Sequence, residues 1–199
     1  MSRLAIFIDG GYLDALAEDE FKIRIDYEKL VSKIQEIVAS KTPESVDLLR
    51  TLYYHCLPYQ SSHPTAVEAM RYSKKRSFFS ALKRIPRFAI REGRLNYKGI
   101  DNMGKPIFQQ KRVDLMLGLD FALLSGKQQI THAVIVSGDS DLLPAFHVAK
   151  EEGILVWLFH GPPISKKDGS ATYAHELWES ADERFEIDLN FMQDIERTP

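Results

Sequence analysis

HAVIVSGDSDLLPAF, residues 132–146, is the stretch on which the fold turns. Ala133 to Val136 are apolar without alternation, the pattern of a strand covered on both faces of a parallel sheet. The run breaks at Ser137-Gly138-Asp139-Ser140-Asp141, and apolar residues resume at Leu142. Two carboxylates and two hydroxyls therefore follow what reads as a buried strand. Two readings stay open here. Ser and Asp are favoured helix N-caps, with Pro144 near the first helical turn; alternatively, the acids hold a cation.

Working outward, residues 4–8 and 154–159 are also uninterrupted apolar runs, and 48–56 predicts a fourth strand. Helical spacing lies between them, over 27–39, 65–83, 113–125 and 141–151, with Gly153 as a helix stop. Strands alternating with helices predict an α/β domain with right-handed crossovers. Residues 87–111 alternate in character and contain Gly93, Gly99 and Gly104 as turn points, predicting a hairpin-like excursion. Ala171, Ala174, Trp178 and Ala181 recur at helical spacing, and FEID, residues 185–188, predicts an edge strand. One domain over 1–188 with a tail at 189–199 is the expected organisation.

A chain of 199 residues, 44% hydrophobic and 27% charged, is expected to build one soluble core. Its single cysteine, Cys56, excludes an internal disulfide and reads as a buried thiol in the apolar run LYYHCL. Residues 4–8 are too short for a signal-peptide core, and Asp120 interrupts the longest greasy segment, 115–124. A reducing, cytoplasmic setting is the expectation, with no membrane partner. Net charge is −2, but residues 71–112 carry 13 Lys and Arg against two acids, Glu92 and Asp101. The rest carries 13 basic and 26 acidic residues, which predicts a basic face beside an acidic site.

In open α/β sheets, ligands bind outside the carboxyl ends of the strands. Asp9 follows the first strand in IFIDGGYL, as Asp139 and Asp141 follow theirs, with no helix expected directly behind Asp9. Such an oxygen-rich edge suits a hard divalent cation. Asp114 is a third contributor, on a helix apolar on nearly every side, although a first-turn acid also complements the helix dipole. Asp120 lies six residues on, about 240° around the helix at ~100° per residue, and points elsewhere. GDS lacks the Asp-x-x-His partner of a serine hydrolase, and Gly11 stands where a dehalogenase-type phosphatase needs its second Asp. No zinc-type His/Cys spacing and no phosphate-cradling glycine loop are present.

AIFIDGGYL, KRVDLMLGLD, AVIVSGDSDLLPAFHVAKEEGILVWLF and HELWESADERF together resemble the NYN domain, the LabA-like branch of the PIN-like nucleases. The resemblance implies a three-layer α/β/α sandwich with a central, mainly parallel sheet, and metal-dependent RNA cleavage. It implies Asp9, Asp114 and Asp139 as metal-binding acids for Mg²⁺ or Mn²⁺, with Asp141 as a further catalytic acid. Ser137 and Lys111 come with them as supporting residues; Ser140 and Asp120 join that list by their positions in the chain, Asp120 reading equally as a solvated side chain. Two departures stand out: Gly11-Tyr12 where many members have Asn, and Arg112 where many have Gly.

A bound divalent ion would lower the pKa of a water and neutralise charge on the scissile phosphate. Lys74, Lys75, Arg76, Lys83, Arg84, Arg87 and Arg112 would then track an RNA backbone, with Tyr72, Phe78 or Phe79 placed to stack on unpaired bases, unless these rings are core. The expected substrate is single-stranded RNA or structured loops, and homo-oligomers are left open. Two alternatives stand beside this reading. One is a catalytically inactive NYN-fold module binding RNA or a regulatory protein. The other is a small-molecule phosphohydrolase, which leaves the basic segment unexplained.

Overall fold

A computed structural model describes residues 1–101, 103–104 and 106–198; Lys105 of the basic segment and Pro199 of the expected tail lie outside them. The apolar runs become strands: β1 Ser2–Asp9, β2 Val46–Cys56, β5 His132–Val136 and β6 Leu155–His160. β3 Phe88–Ile100, β4 Pro106–Lys111 and β7 Glu183–Glu186 complete one seven-stranded sheet. Its order is β4-β3-β2-β1-β5-β6-β7, and every pairing is parallel except β3 with β4. From β1 the chain fills one side of the sheet with β2 to β4, then returns to β1's other flank with β5. The strand order therefore reverses between β1 and β5, the place where open α/β sheets leave a ligand crevice.

Strand alternation divides the core in two. Leu4, Ile6 and Ile8 pack under α2 (Tyr27–Lys41), α3 (Ala66–Leu82) and α7 (Leu189–Asp194). Ala5 and Phe7 face α4 (Val113–Gly126), α5 (Leu143–Glu151) and α6 (His175–Ser180). Each face supplies its own apolar layer, which makes the three-layer α/β/α sandwich. The helix ends are written locally: Thr65 and Glu68 form a reciprocal capping box at α3. Gly153 takes φ +76° beyond α5.

Four expectations need correction. A helix does follow Asp9 at once: α1 spans Gly10–Ala15, runs into a π-helical turn at Leu16–Phe21, and has Asp9 as its N-cap. Gly93 is not a turn but a mid-strand close approach, where a Cβ would lie 2.5 Å from Val113 Cγ2 and 2.9 Å from Cys56 Sγ. The late helix is shorter than the alanine spacing suggests, because Ala171 bridges Ile164 and Ala174 is already the cap of α6. The segment expected as a tail carries α7, whose Phe191 and Met192, followed by Ile195, are buried in the α2–α3 core.

Candidate active site

β1 and the segment after β5 deliver their carboxylates to the two sides of the reversal point. Asp9 closes β1, and its Oδ1 accepts the amide protons of Gly11 at 2.9 Å and Tyr12 at 3.2 Å. Both cap bonds fall on Oδ1, so the cap leaves Oδ2 unengaged. Gly10 is required here, since a Cβ would sit 2.4 Å from the Tyr53 ring and 2.7 Å from the His55 ring. Across the crevice, Asp139 caps the 3₁₀ turn Ser140–Leu142, accepting the Asp141 amide proton at 3.0 Å. Its own amide donates to the buried Ser137 hydroxyl at 3.3 Å. Gly138 lets residues 172–174 close over this loop, because any Cβ would meet Thr172 O at 2.3 Å.

Capping therefore accounts for the placement of both Asp9 and Asp139, and the case for a cation rests on electrostatics. Burial pushes Asp9 from its ordinary 3.8 up to about 6; the Tyr12 and Gly11 amides pull it back, and the Asp114 charge pushes it further. Asp114 occupies the first turn of α4, exposed at the rim. Partial desolvation raises its carboxyl, and the charges of Asp139 and then Asp141 add to the effect. Carboxylates from β1, α4 and the loop after β5 thus repel one another across the crevice. A groove of about 790 Å³ opens beside them, lined by Asp114, Ser140, Asp141 and also Glu176 of α6.

Among the described residues, no three His, Cys, Asp or Glu side chains stand together as a ready metal-holding group. The acids form a linked chain, Asp9 to Asp114 to Asp139 and Asp141, rather than a cage. Such a donor set fits Mg²⁺ or Mn²⁺: it is all carboxylate oxygen, and Mg²⁺ is ordinarily held by one or two carboxylates with waters and substrate phosphate completing the shell.

The other expected residues separate into two groups. Asp120 accepts the Tyr54 hydroxyl at 3.0 Å and pairs with Arg91 at 2.7 Å, so its charge is answered within the fold. Lys75 pairs with Asp14 at 2.8 Å, Lys83 with Glu92 at 3.0 Å and Arg87 with Asp47 at 2.7 Å. Arg87 also lies level with Ala5, four strand residues or about 13 Å below Asp9. Lys74, Arg76, Arg84, Lys111 and Arg112, by contrast, are exposed and make no ion pair among the described residues. Arg112 caps α4 at φ 76°, a left-handed conformation that favours glycine. Phe79 is buried and Phe78 packs against Tyr27 and Tyr53, so these two rings are core; Tyr72 remains at the surface beside Arg76 and Arg84.

Asp14 and His55 were not anticipated. Asp14 Oδ2 lies 2.9 Å from His55 Nε2, Lys75 Nζ lies 3.0 Å from the same nitrogen, and the His55 charge acts on Asp9. Burial works to raise the Asp14 carboxyl, but His55 and Lys75 together hold it below its ordinary value. Asp14 and Lys75 wall a cavity of about 1000 Å³ that also receives Arg71 and Lys74. The available signal was His55 at the carboxyl end of β2, masked by its apolar neighbours. Cys56 beside it is buried with its thiol pushed up, as an inert thiol should be.

A three-layer α/β/α sandwich with acids at the reversal point is the architecture of a PIN-like domain. The NYN domain model matches residues 3–187, and the chain belongs to the NYN family, whose type is PIN-like nuclease. No curated protein matches the chain. Among the described residues, no helix is long and apolar enough to cross a membrane.

Proposed function

We propose that this NYN chain hydrolyses phosphodiester bonds of single-stranded or looped RNA in a reducing, cytoplasmic setting. Asp9, Asp114 and Asp139 hold Mg²⁺ or Mn²⁺, with Asp141 as the further catalytic acid. The observation that carries this reading is the gathering of carboxylates from β1, α4 and the loop after β5 at the β1–β5 reversal point, where burial first and neighbouring charge second push Asp9 and Asp114 up. When bound, the ion supplies a water of lowered pKa and charge neutralisation at the phosphate. The protein contributes orientation: Gly11 and Tyr12 fix Asp9, and the Asp141 amide fixes Asp139. Ser137 holds the loop, and Ser140 lines the groove beside Asp141. Lys111 and Arg112, exposed where β4 passes into α4, are placed to receive phosphate, while Lys74, Arg76 and Arg84 extend a cationic path along α3. Lys75, Lys83 and Arg87 serve the fold through their ion pairs, and Asp120 does so through Arg91 and Tyr54. Incubation with a labelled single-stranded RNA, with Mn²⁺ or Mg²⁺ and again with EDTA, tests the reading; it requires cleavage in the first case alone.

A second reading is an inactive module that binds RNA without cutting it. The specific observation in its favour is Tyr12, whose hydroxyl is spent on the Gly161 amide rather than on the crevice. Wild-type RNA binding with no cleavage under any divalent ion would select this reading.

A further inference from the structure

With Phe78 and Phe79 in the core, the exposed aromatics lie elsewhere. Tyr97 and Phe108 are directly opposite across the β3–β4 ladder, and Tyr59, on the segment after β2, packs on both. The ring centroids are 5.4 to 5.9 Å apart, and Tyr97 and Phe108 remain 47% and 40% exposed. A pocket of about 440 Å³ gathers Tyr59 and Tyr97 with Arg94 and Lys98. At the end of the same ladder, on the opposite face of the ribbon from the rings, Arg94 stands directly opposite Lys111, a like-charge pair that concentrates positive charge at this end of the hairpin. Leu95 and Gln110, the next pair on the aromatic face, lead back to the acids. A Cβ on Gly11 would lie 3.9 Å from Gln110 Oε1 and 3.4 Å from Asp9 Oδ1. From Phe108 to Gln110 is two strand residues, about 7 Å.

We propose that Tyr59, Tyr97 and Phe108 form a stacking platform for the unpaired bases of a single-stranded RNA whose backbone runs past Gln110 toward Asp9. Rings and cations together are the recognition elements of single-strand binding, because every base has a π-face. A duplex buries those faces, so the platform selects unpaired RNA. The direction of the strand rests on the acids being the cleavage site; the platform itself does not.

The test uses the full chain, Ca²⁺ in place of Mg²⁺, and fluorescence anisotropy with two probes: a short oligouridylate and an abasic oligomer of equal length. Wild type should prefer the base-bearing oligomer by at least about tenfold. Tyr97→Ala with Phe108→Ala should abolish that preference while leaving abasic binding unchanged. Tyr97→Trp with Phe108→Trp should retain it, which excludes simple loss of the hairpin. Equal wild-type affinity for both probes, or a preference unchanged in the alanine variant, would overturn the platform and leave the rings as hairpin packing. Cleavage by wild type alongside either result would keep the nuclease reading alive. Loss of preference in the alanine variant without any wild-type cleavage would keep the platform and end that reading.

Discussion

The Tyr12 hydroxyl accepts the Gly161 amide proton at 2.8 Å, joining α1 to the segment after β6. Burial drives its pKa up to about 12, and its ring fills the space that Gly138 leaves open. The Tyr12 side chain is thus a brace. Tyr12→Phe should lower stability by about 1 kcal/mol, the net worth of one hydrogen bond, and leave cleavage unchanged. Urea denaturation beside a turnover assay measures both. A large loss of turnover at unchanged stability would place the hydroxyl in the chemistry instead.

Asp9→Asn should stabilise the metal-free protein at pH 7. The folded pKa of about 6 lies above the ordinary 3.8, so folding favours the protonated form. That contribution is fully present below the unfolded pKa and is lost as pH rises through about 6. At pH 7 its loss costs wild type on the order of 3 kcal/mol, which the Asn variant, still able to cap α1, avoids. Melting curves in EDTA should show the variant's advantage at pH 7 vanish below about pH 4. Mn²⁺ should raise the wild-type Tm and leave that of the variant nearly unmoved. Wild type the more stable at pH 7 in EDTA would contradict this account of Asp9.

Reversing Lys74 and Arg76 to Glu should weaken RNA binding without unfolding the chain, since both side chains are exposed. The salt dependence should flatten by about 1.4, at ~0.7 per lost phosphate contact on a single strand. Lys75 does not belong in that variant, because its ammonium answers Asp14 and His55. Lys75→Ala should instead cost stability on the order of 1–2 kcal/mol. Anisotropy across a salt series, with thermal melts of each variant, separates the two effects. Equal slopes in wild type and the Lys74/Arg76 variant would remove α3 from the RNA path.

The sheet was legible because β1, β5 and β6 are short runs apolar on consecutive residues, the pattern of strands covered on both faces. Asp9 and Asp139 were legible as strand-end acids for the same reason. Helix α1 was hidden by Gly10-Gly11, poor helix formers, the first of which is present because Tyr53 and His55 press on the turn. The Asp14–His55–Lys75 trio joins residues 41 and 20 positions apart, and no local pattern reports that. The basic segment overstated its free charge, since the partners that neutralise Lys75 and Arg87, namely Asp14 and Asp47, lie outside it. Its hairpin half carried the aromatics worth noticing, but alternation along β3 and β4 sets Tyr97 beside Phe108 only once the register is known.

Asp139→Asn is the sharpest probe of metal-dependent RNA cleavage by the carboxylates at the β1–β5 reversal point. Asn keeps the acceptor that caps the Ser140–Leu142 turn, so the variant should fold with a metal-free Tm at or above wild type. Gel-resolved cleavage of a single-stranded RNA in Mn²⁺ should fall by at least about a hundredfold, the scale of about 2.7 kcal/mol lost from transition-state stabilisation. RNA affinity in Ca²⁺ should stay within about twofold, since the cationic path is untouched. Cleavage by Asp139→Asn at the wild-type rate would contradict the account.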